Sequence, residues 1–121
     1  LINKEIQIDE EKIKPFVEKL NNNIKILIKF TDWIKEKMEN SKDDVSAACN
    51  DYLKVLGLVA ISHAWIKVLE ASFKDYENNK DFYEDKIQTA NFYFNRVLLR
   101  VESYFKSATT GSKYIMNFKF N

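Results

Sequence analysis

The chain has 121 residues with 19 basic and 18 acidic side chains, a formal net charge of +1 that gives no field to attract nucleic acid or an anionic membrane surface. Two Gly and one Pro are too few for the turns of an all-β fold, and a single Cys excludes a disulfide within the chain. We therefore expect one all-α domain over residues 1–121 in a reducing compartment, with a cytoplasmic location and neither nucleic acid nor membrane as a partner.

A first amphipathic helix is predicted over about residues 9–40. Its apolar residues recur at alternating steps of four and three, which keeps them on one face of a helix. These residues are Ile13, Val17, Leu20, Ile24, Leu27, Ile34 and Met38, with Thr31 in phase. Pro15 removes an amide donor within the first turns, so a kink or a separate short helix is expected there.

A second helix is predicted over about residues 44–76, after a polar break in which Ser41 and Asp44 have the spacing of a helix cap. Its main apolar line is Val45, Cys49, Tyr52, Leu56, Val59, His63, Ile66 and Phe73. Another face carries mostly small residues, which allow a neighbouring helix to approach closely: Leu53, Gly57, Ala60, Ala64, Val68 and Ala71.

From Tyr52 to Leu69 this helix is apolar nearly all round, which is typical of a helix buried on every side. Two companion helices cover only about two thirds of a central helix, so a strip of apolar surface needs another cover. A second copy of the domain, a neighbouring domain, and the tail over residues 114–120 are the alternatives. The uncharged stretch over residues 55–66 is far shorter than the ~20 residues of a spanning helix, so no membrane span is predicted.

A third helix is predicted over about residues 81–109, with a capping signal at Asp81 and Glu84 and an end at Gly111, followed by a short C-terminal tail. Its apolar stripe is Tyr83, Ile87, Ala90, Phe94, Val97, Val101, Phe105 and Ala108. Short links make the fold an antiparallel up-down-up bundle of three long helices. Because the chain lacks an initiator Met, we expect a C-terminal fragment of a longer protein.

Neither the single His nor the single Cys has the neighbours of a catalytic or metal site. The positions three and four residues from His63 hold no metal ligand, so we interpret His63 as a core or interface imidazole. Cys49 lies on the main line of the second helix and is interpreted as a small buried residue. Gly57 and Gly111 are isolated, which excludes a glycine-rich phosphate loop. We therefore predict no catalytic, cofactor-binding or metal-binding residue in the chain.

The third helix carries two further clusters. Arg96 and Arg100 lie one turn apart, with Lys106 beyond them, and are interpreted as a solvated polar face rather than a grip on phosphate or carboxylate. Three consecutive aromatic residues, 92–94, point in different directions, so not all can enter one core. Three aromatic residues are accordingly the candidate interface: Trp65, Phe92 and Tyr93.

Residues 51–57 followed by Trp65, together with residues 81–94, resemble the extra C-terminal helical domain of bacterial acyl-CoA dehydrogenases, in the subgroup that includes methylmercaptopropionyl-CoA dehydrogenases. The similarity spans most of residues 44–118. The matching positions are Tyr52, Leu53, Gly57, Phe82, Tyr83, Lys86, Thr89, Ala90 and Phe92. Many members have a proline after the aromatic cluster, where this chain reads Val97-Leu98-Leu99-Arg100, so an unbroken third helix is expected here.

The resemblance implies a parent flavoenzyme of fatty acid metabolism, which uses FAD and a glutamate base to remove two hydrogens from the α and β carbons of an acyl-CoA thioester. Those parts belong to the body of such enzymes, and no residue here matches their motifs. The chain would then be an appended, non-catalytic structural or interaction domain that docks on the dehydrogenase body or on a second subunit of an oligomer. The alternative is a free-standing helical adaptor that binds a partner through the exposed strip near Trp65.

Overall fold

The structure is a computed structural model that describes residues 2–110, with side chains described from residue 11 onward. Helix α1 spans Ile2–Asn40, α2 spans Lys42–Lys74, α3 spans Lys80–Phe92 and α4 spans Arg100–Thr109. A 3₁₀ turn, Tyr76–Asn78, precedes α3, and a π turn, Tyr93–Val97, separates α3 from α4. We call residues 80–109 the third arm. The described residues contain no strand, which confirms the all-α class, while the predicted end at Gly111 and the tail lie outside them.

Side-chain contacts establish the up-down-up order. A residue late in α1 meets one early in α2, as in the 2.8 Å hydrogen bond between the hydroxyls of Thr31 and Tyr52, so α1 and α2 are antiparallel. The third arm crosses α2 in the same reversed sense, because Lys54 lies over the Tyr104 ring whereas Trp65 packs on the earlier residue Tyr93. The predicted antiparallel bundle is therefore confirmed.

Helix α1 is continuous where the sequence suggested an interruption. It begins several residues before the predicted start and passes through Pro15 without ending, so the expectation of a separate short helix is wrong. Pro15 is exposed, and the buried side chains of Phe16 and Leu20 beside it hold this part of the helix to the bundle. Burial of this kind offsets the roughly 3 kcal/mol cost of an interior proline.

Helix α2 begins as predicted, since the Ser41 hydroxyl accepts a 3.4 Å hydrogen bond from the Asp44 amide. Its buried line differs from the predicted one and consists of Ala48, Val55, Val59, Ser62, Ile66, Leu69 and Ser72. The predicted line was wrong at Cys49, Leu56 and His63, which are exposed. Small side chains took their place in the core because Ser62 and Ser72 satisfy their hydroxyls on the helix itself, by donating to the carbonyls of Val59 and Val68 at 2.6 and 2.7 Å.

The third arm is interrupted by the π turn, so the expected unbroken helix is wrong. The Leu98 amide donates to the Tyr93 carbonyl at 2.9 Å, which is a five-residue step instead of the usual four. The extra residue changes the helix phase next to the aromatic run, and both Tyr93 and Phe94 are buried. The N-terminal cap is also earlier than predicted, since Asn79 accepts from the Phe82 amide at 3.3 Å.

Phe30 of α1 lies where α1, α2 and α4 meet. It is fully buried and makes edge-to-face contacts with Tyr52 of α2 at 5.1 Å and with Phe105 of α4 at 5.4 Å between ring centroids. A second aromatic contact, between Phe16 and Phe94 at 5.3 Å, joins α1 to the π turn. Such pairs add about 0.5–1.5 kcal/mol beyond their burial, so the core is concentrated on aromatic junctions.

Replacing Phe30 by Ala should lower the free energy of unfolding by about 3–5 kcal/mol, because it removes the ring of α1 that contacts both α2 and α4 and leaves a cavity. The matched control is Phe92→Ala, the same chemical change at a side chain that is 60% exposed, for which a loss within about 0.5 kcal/mol is expected. Urea unfolding followed by circular dichroism measures both. Equal losses for the two variants would contradict this description of the core.

Candidate functional site

The face of α2 opposite the core is apolar and exposed. We call six residues on it the outer strip: Leu53, Gly57, Ala60, Ala64, Val68 and Ala71. Leu53 is 60% exposed, and a Cβ added at Gly57 would meet no atom within 4 Å. Leu56 and Ile61, at 44% and 49% exposure, extend the apolar surface on either side of the strip. The apolar surface that the sequence left uncovered is therefore open to solvent among the described residues.

The middle of the outer strip carries no charge. Lys54 is directed away from it, with its ammonium 5.2 Å from the centre of the Tyr104 ring on α4. Lys67 lies near one end and is 4.0 Å from Glu70 on the same helix. A partner that covered the strip would therefore not have to desolvate an ion at its centre, which is the main cost of burying a polar surface. Contiguous exposed apolar surface without charge is typical of a docking site.

Helix α2 is apolar on nearly all sides, and by length and composition alone it could cross a membrane. An 18-residue window of Lys42–Lys74 has a mean hydropathy of 1.4, and 28% of that window is buried in the bundle. The buried line of α2 packs against α1 and the third arm, as the core helix of a bundle does. The absence of a membrane span stays a prediction.

The three candidate interface residues have different surroundings. Trp65 is half-buried and its ring lies 6.5 Å from that of Tyr93. Tyr93 is buried, and its hydroxyl donates a hydrogen bond to the Leu58 carbonyl of α2. Phe92 is 60% exposed. Trp65 and Tyr93 thus bind the third arm to α2, while Phe92 offers a ring to solvent, and the interface role of all three stays a prediction.

Cys49 and His63 are exposed on the surface of α2 and are not part of the core. The interpretation of Cys49 as a buried residue was therefore wrong. For His63 the core alternative was wrong and the interface alternative stays a prediction. Within residues 2–110 no group of three or more His, Cys, Asp or Glu side chains is placed to hold a metal ion. Both residues instead border the apolar outer side of α2.

A shallow groove of about 260 Å³ runs between α1 and the third arm. It is lined by Lys19, Asn22, Asn23, Ile26, Phe94, Asn95, Leu98, Leu99 and Glu102. Three of its polar residues bond to one another: the Lys19 ammonium donates to the Asn95 side-chain oxygen, and the Asn23 side-chain amide donates to the Lys19 carbonyl at 2.7 Å. Glu102 pairs with Lys106 at 3.0 Å on an exposed face, and such pairs contribute little.

Comparison with known proteins gives one match. The model of a family described as "Acetyl-CoA dehydrogenase C-terminal like" matches residues 1–119. The chain belongs to this family. No curated protein and no solved structure is similar enough to match it. The family confirms the predicted resemblance to the C-terminal domain of acyl-CoA dehydrogenases, whereas membership of the methylmercaptopropionyl-CoA subgroup stays a prediction.

Membership of the acetyl-CoA dehydrogenase C-terminal family implies FAD in parent enzymes, so we asked whether the residues here fit a flavin. The groove is smaller than the roughly 300–1,000 Å³ of ordinary ligand pockets, and its Lys19 ammonium is bound to the Asn95 side chain. Gly57 lies inside α2, where its amide cannot form a phosphate-binding loop. The described residues do not fit the cofactor, and we derive no chemical step through it.

Tyr93 has a testable ionisation. Burial raises the pKa of Tyr93 to about 12, above the ordinary value near 10. Because the folded state holds this proton more tightly than the unfolded state, the contribution to stability is complete below pH 10 and is lost as the pH rises from about 10 to 12. Ultraviolet titration in a Tyr76→Phe background, which removes the other tyrosine whose pKa is raised, should therefore show a late step that is missing when Tyr93→Phe is added and retained with the control Tyr83→Phe. A late step that survives Tyr93→Phe would contradict the assignment.

Proposed function

We propose that this chain is the appended C-terminal docking domain of an FAD-dependent acyl-CoA dehydrogenase and takes no direct part in catalysis. The parent reaction would be the α,β-dehydrogenation of an acyl-CoA thioester. The observation that carries the proposal is the family match over residues 1–119, and the exposed outer strip supplies the surface through which such a domain would act.

The distribution of titratable groups supports a role outside the chemistry. An active site brings an acid, a base or a nucleophile into a pocket and shifts its pKa there. Two described groups with a raised pKa, Tyr76 and Tyr93, are tyrosines outside the groove. Tyr93 is buried against α2, and the pKa of Tyr76 is raised by its 3.1 Å hydrogen bond to the Glu84 carboxylate and by the charge of that group. Both serve to join elements of the bundle.

The outer strip supports a docking role on energetic grounds. Full burial of a Leu or Val side chain contributes about 1.5–3 kcal/mol, and Leu53, Leu56, Ile61 and Val68 leave much of that free energy unused in the isolated domain. The small residues between them permit close backbone approach. The proposed partner is the rest of the dehydrogenase chain or a second subunit, in a cytoplasmic oligomer of fatty acid metabolism.

The coding sequence upstream of Leu1 tests the parent assignment. The proposal expects an in-frame dehydrogenase body before this domain. A start codon immediately before Leu1 with no dehydrogenase body in frame would overturn it, and the free-standing helical adaptor would then be the remaining hypothesis.

Flavin binding tests the non-catalytic role separately. The purified chain of residues 1–121, mixed with excess FAD and passed through a desalting column, should show no flavin absorbance, because its groove is too small and lacks a phosphate-binding loop. Free FAD passed through the same column alone is the control. A stoichiometric yellow complex would contradict the proposal that this domain is free of cofactor.

A further inference from the structure

We propose that α3 is a hinged segment, which separates from α2 as a unit while α1, α2 and α4 stay folded, and thereby uncovers the end of α2 beneath it. The opening is a property of this domain alone. Its use, which rests on the proposed function, is to widen the docking surface at the end of the outer strip that carries Val68 and Ala71.

Helix α3 is held to the bundle by few buried side chains. Of its 13 residues only Ala90 is buried, whereas the 10 residues of α4 bury Val101 and Ala108. Its two phenylalanines, Phe82 and Phe92, are 49% and 60% exposed. Burial of apolar side chains is the main free energy that fixes a helix to its neighbours, so α3 has less of it to lose on opening than α4.

Polar contacts do not compensate for this weak packing. Between the side chains of α3 and the described side chains of α1 and α2 there is no hydrogen bond or ion pair. Glu84 accepts a 3.1 Å hydrogen bond from Tyr76 in the preceding 3₁₀ turn. Lys80 lies 3.3 Å from Glu77 on an exposed face, where ion pairs contribute little. The bond between Tyr76 and Glu84 is therefore the polar contact that opening would break.

Both ends of α3 are joints that can absorb a movement. Before it, residues 75–79 contain the 3₁₀ turn and the extended residue Asn79. Five residues span up to about 16–18 Å when extended, so α3 can separate from α2 without unfolding it. After it, the π turn leads to α4, and its first residue, Tyr93, stays bonded to the Leu58 carbonyl. Hinges are typically a few residues at the ends of elements, as in these two joints.

The part of α2 that opening uncovers is its C-terminal end. Because Trp65 packs on Tyr93 and the third arm is antiparallel to α2, the residues of α2 after Trp65 lie beside α3. The buried residues there are Ile66, Leu69 and Ser72. Val68 and Ala71 of the outer strip adjoin them and are exposed. Opening of α3 therefore makes this end of α2 accessible on two neighbouring faces.

Hydrogen exchange of the full chain, followed by mass spectrometry, tests the opening. After correction for intrinsic rates, the amides of α3 should exchange at least tenfold faster than those of α4, because α4 is released only when the bundle unfolds. Tyr76→Phe removes the bond to Glu84 and should make exchange in α3 faster by about three- to tenfold.

The matched control is Tyr52→Phe, which removes the 2.8 Å hydrogen bond to Thr31 between α1 and α2. Since that bond persists when α3 alone is open, exchange in α3 should keep its rate, whereas exchange in α4 should become faster. Three results would each overturn the inference: exchange in α3 at the rate of α4, no effect of Tyr76→Phe on α3, and equal acceleration of α3 by both variants.

A buried thiol supplies the second readout, in a Cys49→Ser background that removes the native exposed thiol. Ser72→Cys and Ser62→Cys make the same small change at two buried serines of α2, which are 1% and 0% exposed. Only Ser72 lies on the part of α2 beside α3. Alkylation of the thiol at residue 72 should be at least tenfold faster than at residue 62. Equal rates would show that both parts of α2 are uncovered together and would contradict a separate opening of α3.

These outcomes are independent of the parent assignment. An upstream dehydrogenase body, together with equal exchange rates in α3 and α4, would overturn only the opening. Faster exchange in α3, in a chain with no dehydrogenase body encoded upstream, would retain the opening and overturn the proposed function.

Discussion

The limited cover that two helices can give a third is the constraint on which this structure depends. Helix α2 is flanked by α1 and by the third arm, and its buried line faces both of them. In most amphipathic helices the remaining side is polar, and the cover is then sufficient. Here the opposite side is apolar from Leu53 to Ala71, so the fold buries only one of the two apolar sides of α2. The inner face of α2 holds the bundle together, and its outer face is exposed among the described residues.

The contacts of the inner face are concentrated at two aromatic junctions. At one, Phe30 joins α1 to Tyr52 and Phe105; at the other, Phe94 meets Phe16 while Tyr93 binds the Leu58 carbonyl. The π turn is part of the second junction, because Tyr93 faces α2 and Phe94 faces α1. Interior deviations of this kind cost hydrogen-bond geometry, and they occur where packing compensates.

Much of the fold could be predicted from the sequence, and the misses have physical causes. Most of the stripe of the third arm was correct, because Ala90, Phe94, Val101 and Ala108 are buried, and Ile87, Val97 and Phe105 pack partly buried against the core. The stripe was wrong at Tyr83, which lies outside the core, and it omitted the buried residues Tyr93 and Leu98. Helix α2 was harder. Because α2 is apolar on nearly all sides, several of its faces could have been the buried one. The face that is buried includes two serines whose hydroxyls bond within the helix, which composition alone does not reveal.

The uncovered apolar strip of α2 was foreseen from the sequence, whereas the interface role of Trp65, Phe92 and Tyr93 stays a prediction. Trp65 and Tyr93 contact each other, and Tyr93 is the first residue of a π turn that no local sequence signal indicated. In α1 the prediction missed Phe16 and Phe30, the two rings that build the junctions, because both lie beside the regular seven-residue line instead of on it. Periodicity located the helices, and the size of individual side chains decided which contacts joined them.

The central claim is that the outer strip is free in the isolated domain and covered in the assembled protein. The alkylation rate of a thiol at the middle of the strip tests it most directly, with Ala64→Cys in a Cys49→Ser background, measured first in the dilute domain and then in the assembled protein. We predict fast alkylation in the dilute domain, because residue 64 is exposed, and a rate at least tenfold slower after assembly. Equal rates in the two states would contradict it.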